Sequence, residues 1–180
     1  MMTGGKRHKL KKINCDYSIY SIIGIKSPLQ DYRLAHFLNK SLDVDFTRIN
    51  DFIMYDEQSG NKDSDKLQDS FGLFETQELG SKNYSFPTYY FEDDLYKLSY
   101  LLLLNNTNGK FLIKDKNNAD YILIIFNSYD FPAENLFSKI NSISGVSKSY
   151  KIDFDNNFDD LFEEIEDHLI HLNKKDNEEK

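Results

Sequence analysis

The stretch from Gly109 to Phe126, GKFLIKDKNNADYILIIF, constrains this chain more than any other. Tyr121, Ile122, Leu123, Ile124, Ile125 and Phe126 form an unbroken apolar run, far short of the roughly 20 residues a membrane helix needs. A strand with one wet face would alternate apolar and polar side chains. A run without alternation therefore predicts an interior strand covered on both faces. Phe111, Leu112 and Ile113 make a second apolar patch, and the polar, turn-prone segment 114–118 separates the two.

The elements before this stretch follow from periodicity. Tyr17, Ile19, Ile23 and Ile25 alternate with Ser18, Tyr20, Ile22 and Gly24, which predicts a first strand over 13–25 with both faces at least partly covered. Ser27-Pro28-Leu29-Gln30 reads as a helix start: Ser27 as cap, Pro28 at the first helical position, Gln30 reaching back. The helix should run to about Ser41, with Leu34, Phe37, Leu38 and Leu42 on one arc and Arg33, His36 and Lys40 on the other. Asp31 lies at the edge of the apolar arc, where a first-turn acid can serve helix N–H groups and the dipole. A second strand is expected over 46–55, a solvated loop over 56–70 and a short strand over 71–75. Segments 84–91 and 95–104 should pair as a hairpin across Glu92-Asp93-Asp94, with Pro87 pushing the first to an edge.

After the central run, a second helix opens around Asp130 and Pro132, carries Leu136, Phe137, Ile140 and Ile143 at helical spacing, and stops at Gly145. A last strand follows over 146–154. Two strand-helix-strand units around a meander predict an α+β fold: a largely antiparallel sheet, helices on one face, related to the ferredoxin-like sandwich. A third helix over 156–172 presents Phe158, Leu161, Phe162, Ile165, Leu169 and Leu172 on one face, and 173–180 should fray. Docking on its own domain is the simpler expectation; docking in trans would make Phe162 and Ile165 interface residues.

Two segments carry a resemblance. Ile113-Lys114-Asp115, three residues, then Ala119-Asp120-Tyr121 resembles the signature of the IPExxxVDY family, a group of small uncharacterised bacterial proteins. Lys114, Asp115 and Ala119 depart from the motif's Pro, Glu and Val. Asp31-Tyr32-Arg33-Leu34, followed by Leu38-Asn39-Lys40 and Leu42, is similar to the family's DYRL helix, in matching order and separation. The resemblance covers roughly residues 13–155 and implies an α+β domain without an assigned activity. Asp31, Tyr32, Arg33, Ile113, Asp115, Asp120 and Tyr121 are its motif residues.

Bulk properties narrow the function. With 180 residues the chain suits one domain, 13–155, between an arm at 1–12 and the C-terminal segment 156–180. The arm, MMTGGKRHKLKK, is basic and cannot build a core, so it reads as disordered. A net charge of -8 disfavours general attraction to nucleic acid or an anionic membrane. One cysteine, Cys15, excludes an internal disulfide, and a cytoplasmic location is the expectation.

No common catalytic constellation is complete. Gly4-Gly5 and Gly24 make no phosphate loop, GxSxG is missing, and Cys15 reads as an inert packed thiol. His168 and His171 sit three apart but lack further zinc ligands. Asp153, Asp155, Asn157, Asp159 and Glu164 echo a calcium-loop spacing, yet Phe158 stands where the turn needs glycine. No metal or cofactor is expected. Tyr89, Tyr90, Phe91, Tyr96 and Tyr100 form an aromatic strand surface; with few nearby cations it suits a protein interface better than base stacking.

The sequence therefore predicts a non-enzymatic module acting by protein contact, through a sheet edge or aromatic face and in a homodimer. Two other classes stay open. One is a small-ligand regulatory domain, since Lys139-Ile140, Ile143 and Gly145-Val146 are similar to the second helix end of ACT domains. The other is RNA binding through the arm and the Arg33, His36, Lys40 stripe.

Overall fold

The computed structural model describes residues 20–56, 82–115, 117–126, 133–153 and 158–178. In chain order these are β1 (Tyr20–Lys26), α1 (Asp31–Leu42), β2 (Thr47–Arg48), β3 (Phe52–Asp56), β4 (Lys82–Phe86), β5 (Thr88–Asp93), β6 (Leu98–Leu104), β7 (Asn106–Thr107), β8 (Lys110–Phe111), β9 (Tyr121–Phe126), α2 (Ala133–Asn141), β10 (Lys148–Ile152) and α3 (Asp159–Glu178). A six-stranded antiparallel sheet has the order β10-β1-β9-β6-β5-β2, and β3-β4 and β7-β8 form separate two-stranded ladders.

The apolar run is β9, paired with β1 on one side and β6 on the other, with all six residues buried. Successive side chains of a strand point to opposite faces. Tyr121, Leu123 and Ile125 join Ile23, Ile25 and Leu102 in one core, closed by Leu34 and Leu38 of α1 and Leu136 and Ile140 of α2. Ile122, Ile124 and Phe126 join Leu101 and Leu103 in the other, closed by Phe52 and Phe86 of the β3-β4 hairpin and by Phe162 and Ile165 of α3. The absence of alternation thus reflects two cores on one strand. The α+β class and the mostly antiparallel sheet are as expected from sequence.

Helices α1 and α2, those of the two strand-helix-strand units, share one side of the sheet as expected, and α3 covers the other. Other expectations need correction. Phe162 and Ile165 are consequently core residues of this chain and offer no interface surface. Helix α3 also continues to Glu178, past the expected frayed start at 173. At the other end of the fold, α1 begins at Asp31 behind Gln30, which makes no side-chain cap bond. Ser27 is not its cap, because its hydroxyl donates to the Gly145 carbonyl and accepts from the Leu29 N–H.

The expected strand over 46–55 is two strands in different sheets. Between them Asp51 turns to Arg48 and to the Ser85 hydroxyl, which ends the first ladder. Pro87 likewise divides 84–91, sending β4 to the hairpin with β3 and β5 to the main sheet. The buried Thr88 hydroxyl bridges this division, accepting from the Phe52 N–H at 3.1 Å and donating to the Phe86 carbonyl at 2.7 Å. The expected strand at 71–75, the opening of α2 at 130–132, Cys15 and the basic arm lie outside the described residues.

Candidate functional site

The motif residues Ile113 to Tyr121 wrap around a residue that sequence reasoning missed, Asn105. Its side chain is fully buried. The Asn105 amide donates to the carbonyls of Ile113 and Ala119, both at 2.8 Å, and its Oδ1 accepts from the Ile113 N–H at 2.7 Å. Its backbone bonds to Asp120 and Leu112 as well. A loop crossing a core must satisfy its own polar backbone, and here one asparagine does so three times. Ile113 and Ala119 are themselves wholly buried.

Asp115 closes the loop from outside, accepting from the Ala119 N–H at 3.0 Å, the Asn117 N–H at 3.3 Å and the Tyr150 hydroxyl at 2.6 Å. Burial pushes this carboxyl up, but the bonds from Tyr150, Ala119 and Asn117 outweigh it and hold Asp115 below its ordinary range. Burial, then the bond to Asp115, raises the Tyr150 phenol. Asp120 joins loop to helix entry, accepting from the Ser27 N–H and from Lys26 Nζ, each at 2.9 Å. Tyr121 donates its hydroxyl to the Leu29 carbonyl, and burial followed by the charges of Asp31 and Asp120 pushes its phenol up to about 12. All four groups are therefore engaged in holding β1, the α1 entry, the motif loop and β10 together.

The α1 entry is packed as tightly. Gly145 adopts φ +98, which a side chain disfavours, and a Cβ there would lie 2.9 Å from Leu29 Cδ2. Leu29 therefore lies directly against the Gly145 backbone, where the α1 entry meets the turn between α2 and β10.

The second motif segment meets a different arginine from the one in the motif. Asp31 accepts from Arg48 Nη1 at 2.9 Å and from the Tyr89 hydroxyl at 3.1 Å, in place of the helix N–H groups expected from sequence. Arg48 also pairs with Asp51 and lies 5.1 Å above the Tyr89 ring. Arg33 and Tyr32 project from the exposed side of α1, with Tyr32 59% exposed. The sequence does not show that Arg48, and not Arg33, meets Asp31, because Asp31 and Tyr89 come from a helix start and a strand distant in the chain.

The aromatic surface is mostly used internally. Tyr89 is buried, Tyr90 and Phe91 are half-buried, and Tyr100 packs in the core against Phe46 and Phe91. Tyr96 differs: it is 70% exposed, beside Leu95 at 81%. Both sit in the turn between β5 and β6, where Asp93 Oδ1 accepts from the Leu95 N–H at 3.0 Å and the Tyr96 N–H at 3.1 Å. Lys97 closes the turn at φ 55. Two large apolar side chains are therefore displayed on a turn fixed by its own aspartate.

Among the described residues no three or more His, Cys, Asp or Glu side chains gather as a metal site. His168 meets the Asn50 carbonyl at 3.1 Å and the edge of Phe52, fastening α3 to the start of β3. Among the described residues, no helix is long and apolar enough to cross a membrane. No family model matches the chain, and no curated protein matches it either.

Proposed function

We propose that this chain is a non-enzymatic module that acts by protein contact, through the turn between β5 and β6. The observation that carries this is the adjacent exposure of Leu95 and Tyr96 on a turn held by Asp93. Single exposed apolar residues are ordinary. A pair on a preorganised turn is better suited to binding, since a partner need not order the loop, and tyrosine is a frequent anchor of interfaces. The sheet edges fit this role less well: β2 has two residues, and β10 carries exposed Lys148 and Lys151, which discourage strand addition.

Membership of the IPExxxVDY family belongs to the same proposal. Its support is that both motif segments meet at one end of the sheet, where Tyr121 binds the Leu29 carbonyl just ahead of Asp31. We also infer a ferredoxin-like relationship, supported by the inner strand order β10-β1-β9-β6 with α1 following β1 and α2 preceding β10.

Affinity capture from the native cell with wild type and with Leu95→Ser/Tyr96→Ser tests the contact role. The expected result is a partner retained by wild type and lost by the variant at equal melting temperature. Equal capture by both, or a rise in melting temperature with an amino acid or nucleotide, would replace it with a different surface or a ligand-binding role.

A further inference from the structure

The partner that the β5-β6 turn fits is available on the same molecule. The turn is acidic around its apolar tip: Glu92, Asp93 and Asp94 flank Leu95 and Tyr96, against Lys97, which approaches Asp94 at 3.9 Å. The exposed side of α1 has the opposite character. Tyr32, Arg33, His36 and Lys40 all face outward there, Asp31 is turned away to Arg48 and Tyr89, and Asp43 marks the end of the stripe past the last turn. Tyr32 and the His36 ring, which lies 5.8 Å from that of the half-buried Phe37, supply apolar surface among the cations.

We propose that the β5-β6 turn of one molecule docks on the outward face of α1 of a second copy, and the reverse. Leu95 and Tyr96 lie against Tyr32 and His36, and Glu92 and Asp94 face Arg33 and Lys40. This rests on the contact role proposed for the turn. Reciprocity is favoured by position: Phe46, just past α1, packs on Tyr100, and Tyr100 packs on Phe91, so α1 exits at the tip end of the hairpin. A twofold axis at that end lets each tip reach the other stripe, closing a dimer instead of a chain. The net charge of -8 opposes association at long range, but that repulsion is screened beyond about 8 Å at physiological salt, whereas close pairs are screened less. The contact is small and its affinity correspondingly weak.

Sedimentation of the full chain decides the matter at about 0.5 mM, above the roughly 0.1 mM Kd suited to an interface below standard size. Wild type should sediment as a dimer and Leu95→Ser/Tyr96→Ser as a monomer. Asp94→Lys and Lys40→Glu should each weaken dimerisation by about fivefold or more, and the double variant Asp94→Lys/Lys40→Glu should recover most of the loss. Failure of the charge exchange to recover, a dimer unaffected by Leu95→Ser/Tyr96→Ser, or wild type that stays monomeric while retaining mixed RNA would overturn the proposal. A monomeric wild type that still captures another protein through Leu95 and Tyr96 would overturn the second-copy assignment alone. If the tip variant alters neither association nor capture, the contact role falls with it.

Discussion

The ring of Tyr150 lies across Gly24 so closely that a methyl group on Gly24 would sit 2.7 Å from the Tyr150 Cζ. The two residues face each other in the β1-β10 register, and the phenol reaches on to Asp115. A glycine inside a strand loses packing and entropy, and here a cross-strand aromatic restores the packing. Gly24→Ala should therefore destabilise by about 1–3 kcal/mol, the usual range for overpacking, while Gly24→Ala in a Tyr150→Ala background should cost far less. A denaturant double-mutant cycle measures the difference.

Asn105 carries a larger share of the motif loop. Asn105→Ala strands the Ile113 N–H and the Ile113 and Ala119 carbonyls in a buried site. The expected loss is about 3 kcal/mol or more, since each orphaned buried group costs about 1–3 kcal/mol. Asn105→Asp should be no better, because it removes both donors while leaving the side chain's volume. Urea unfolding of the two variants checks both.

These two positions mark where sequence reasoning ends. An apolar run without alternation identifies β9 as an interior strand, and the helical stripes of α1 and α3 identify what covers it, because those signals are local. Gly24 looks unexceptional until Tyr150 is laid over it, and Asn105 looks like one more polar residue beside a turn. The same applies to Asp31: its place in the first turn of α1 is legible, but its partners Arg48 and Tyr89 are set by strand pairing. Pro87 is readable only as pushing its strand to an edge; instead it separates two strands in two sheets, with β5 between β6 and β2, a division that Thr88 and Asp51 bridge.

Protonation of the Asp115-Tyr150 pair should shape stability at both ends of the pH scale. The Asp115 carboxyl is held below its unfolded value, so its contribution is present above pH about 4 and is lost as pH falls through the depressed value. Tyr150 is raised, so its contribution is present below pH about 10 and is lost as pH rises through the folded value. Asp115→Asn should cost about 1 kcal/mol at pH 7 and flatten the acid side of the stability curve. Tyr150→Phe should flatten the alkaline side. Denaturation across pH compares them with wild type.

Ser149 gives a prediction of opposite sign. It is buried on β10, its N–H donates to Asn141 Oδ1 at 2.6 Å, and its hydroxyl oxygen has no hydrogen-bond partner among the described residues. Ser149→Ala keeps the backbone bond and removes a desolvated hydroxyl, so it should stabilise by about 1 kcal/mol. Thermal unfolding reads this as a higher melting temperature.

On the proposed function, the motif corner holds the fold while the β5-β6 turn makes the contact. Hydrogen exchange along the whole chain, compared between dilute and concentrated protein, tests both halves at once. The amides of Ile113 and of 122–125 should exchange only through global unfolding and show the same rates at both concentrations, while residues 94–97 and 32–40 gain protection in the concentrated sample. Fast exchange at Ile113 and 122–125, or concentration-dependent protection confined to 113–121, would contradict it.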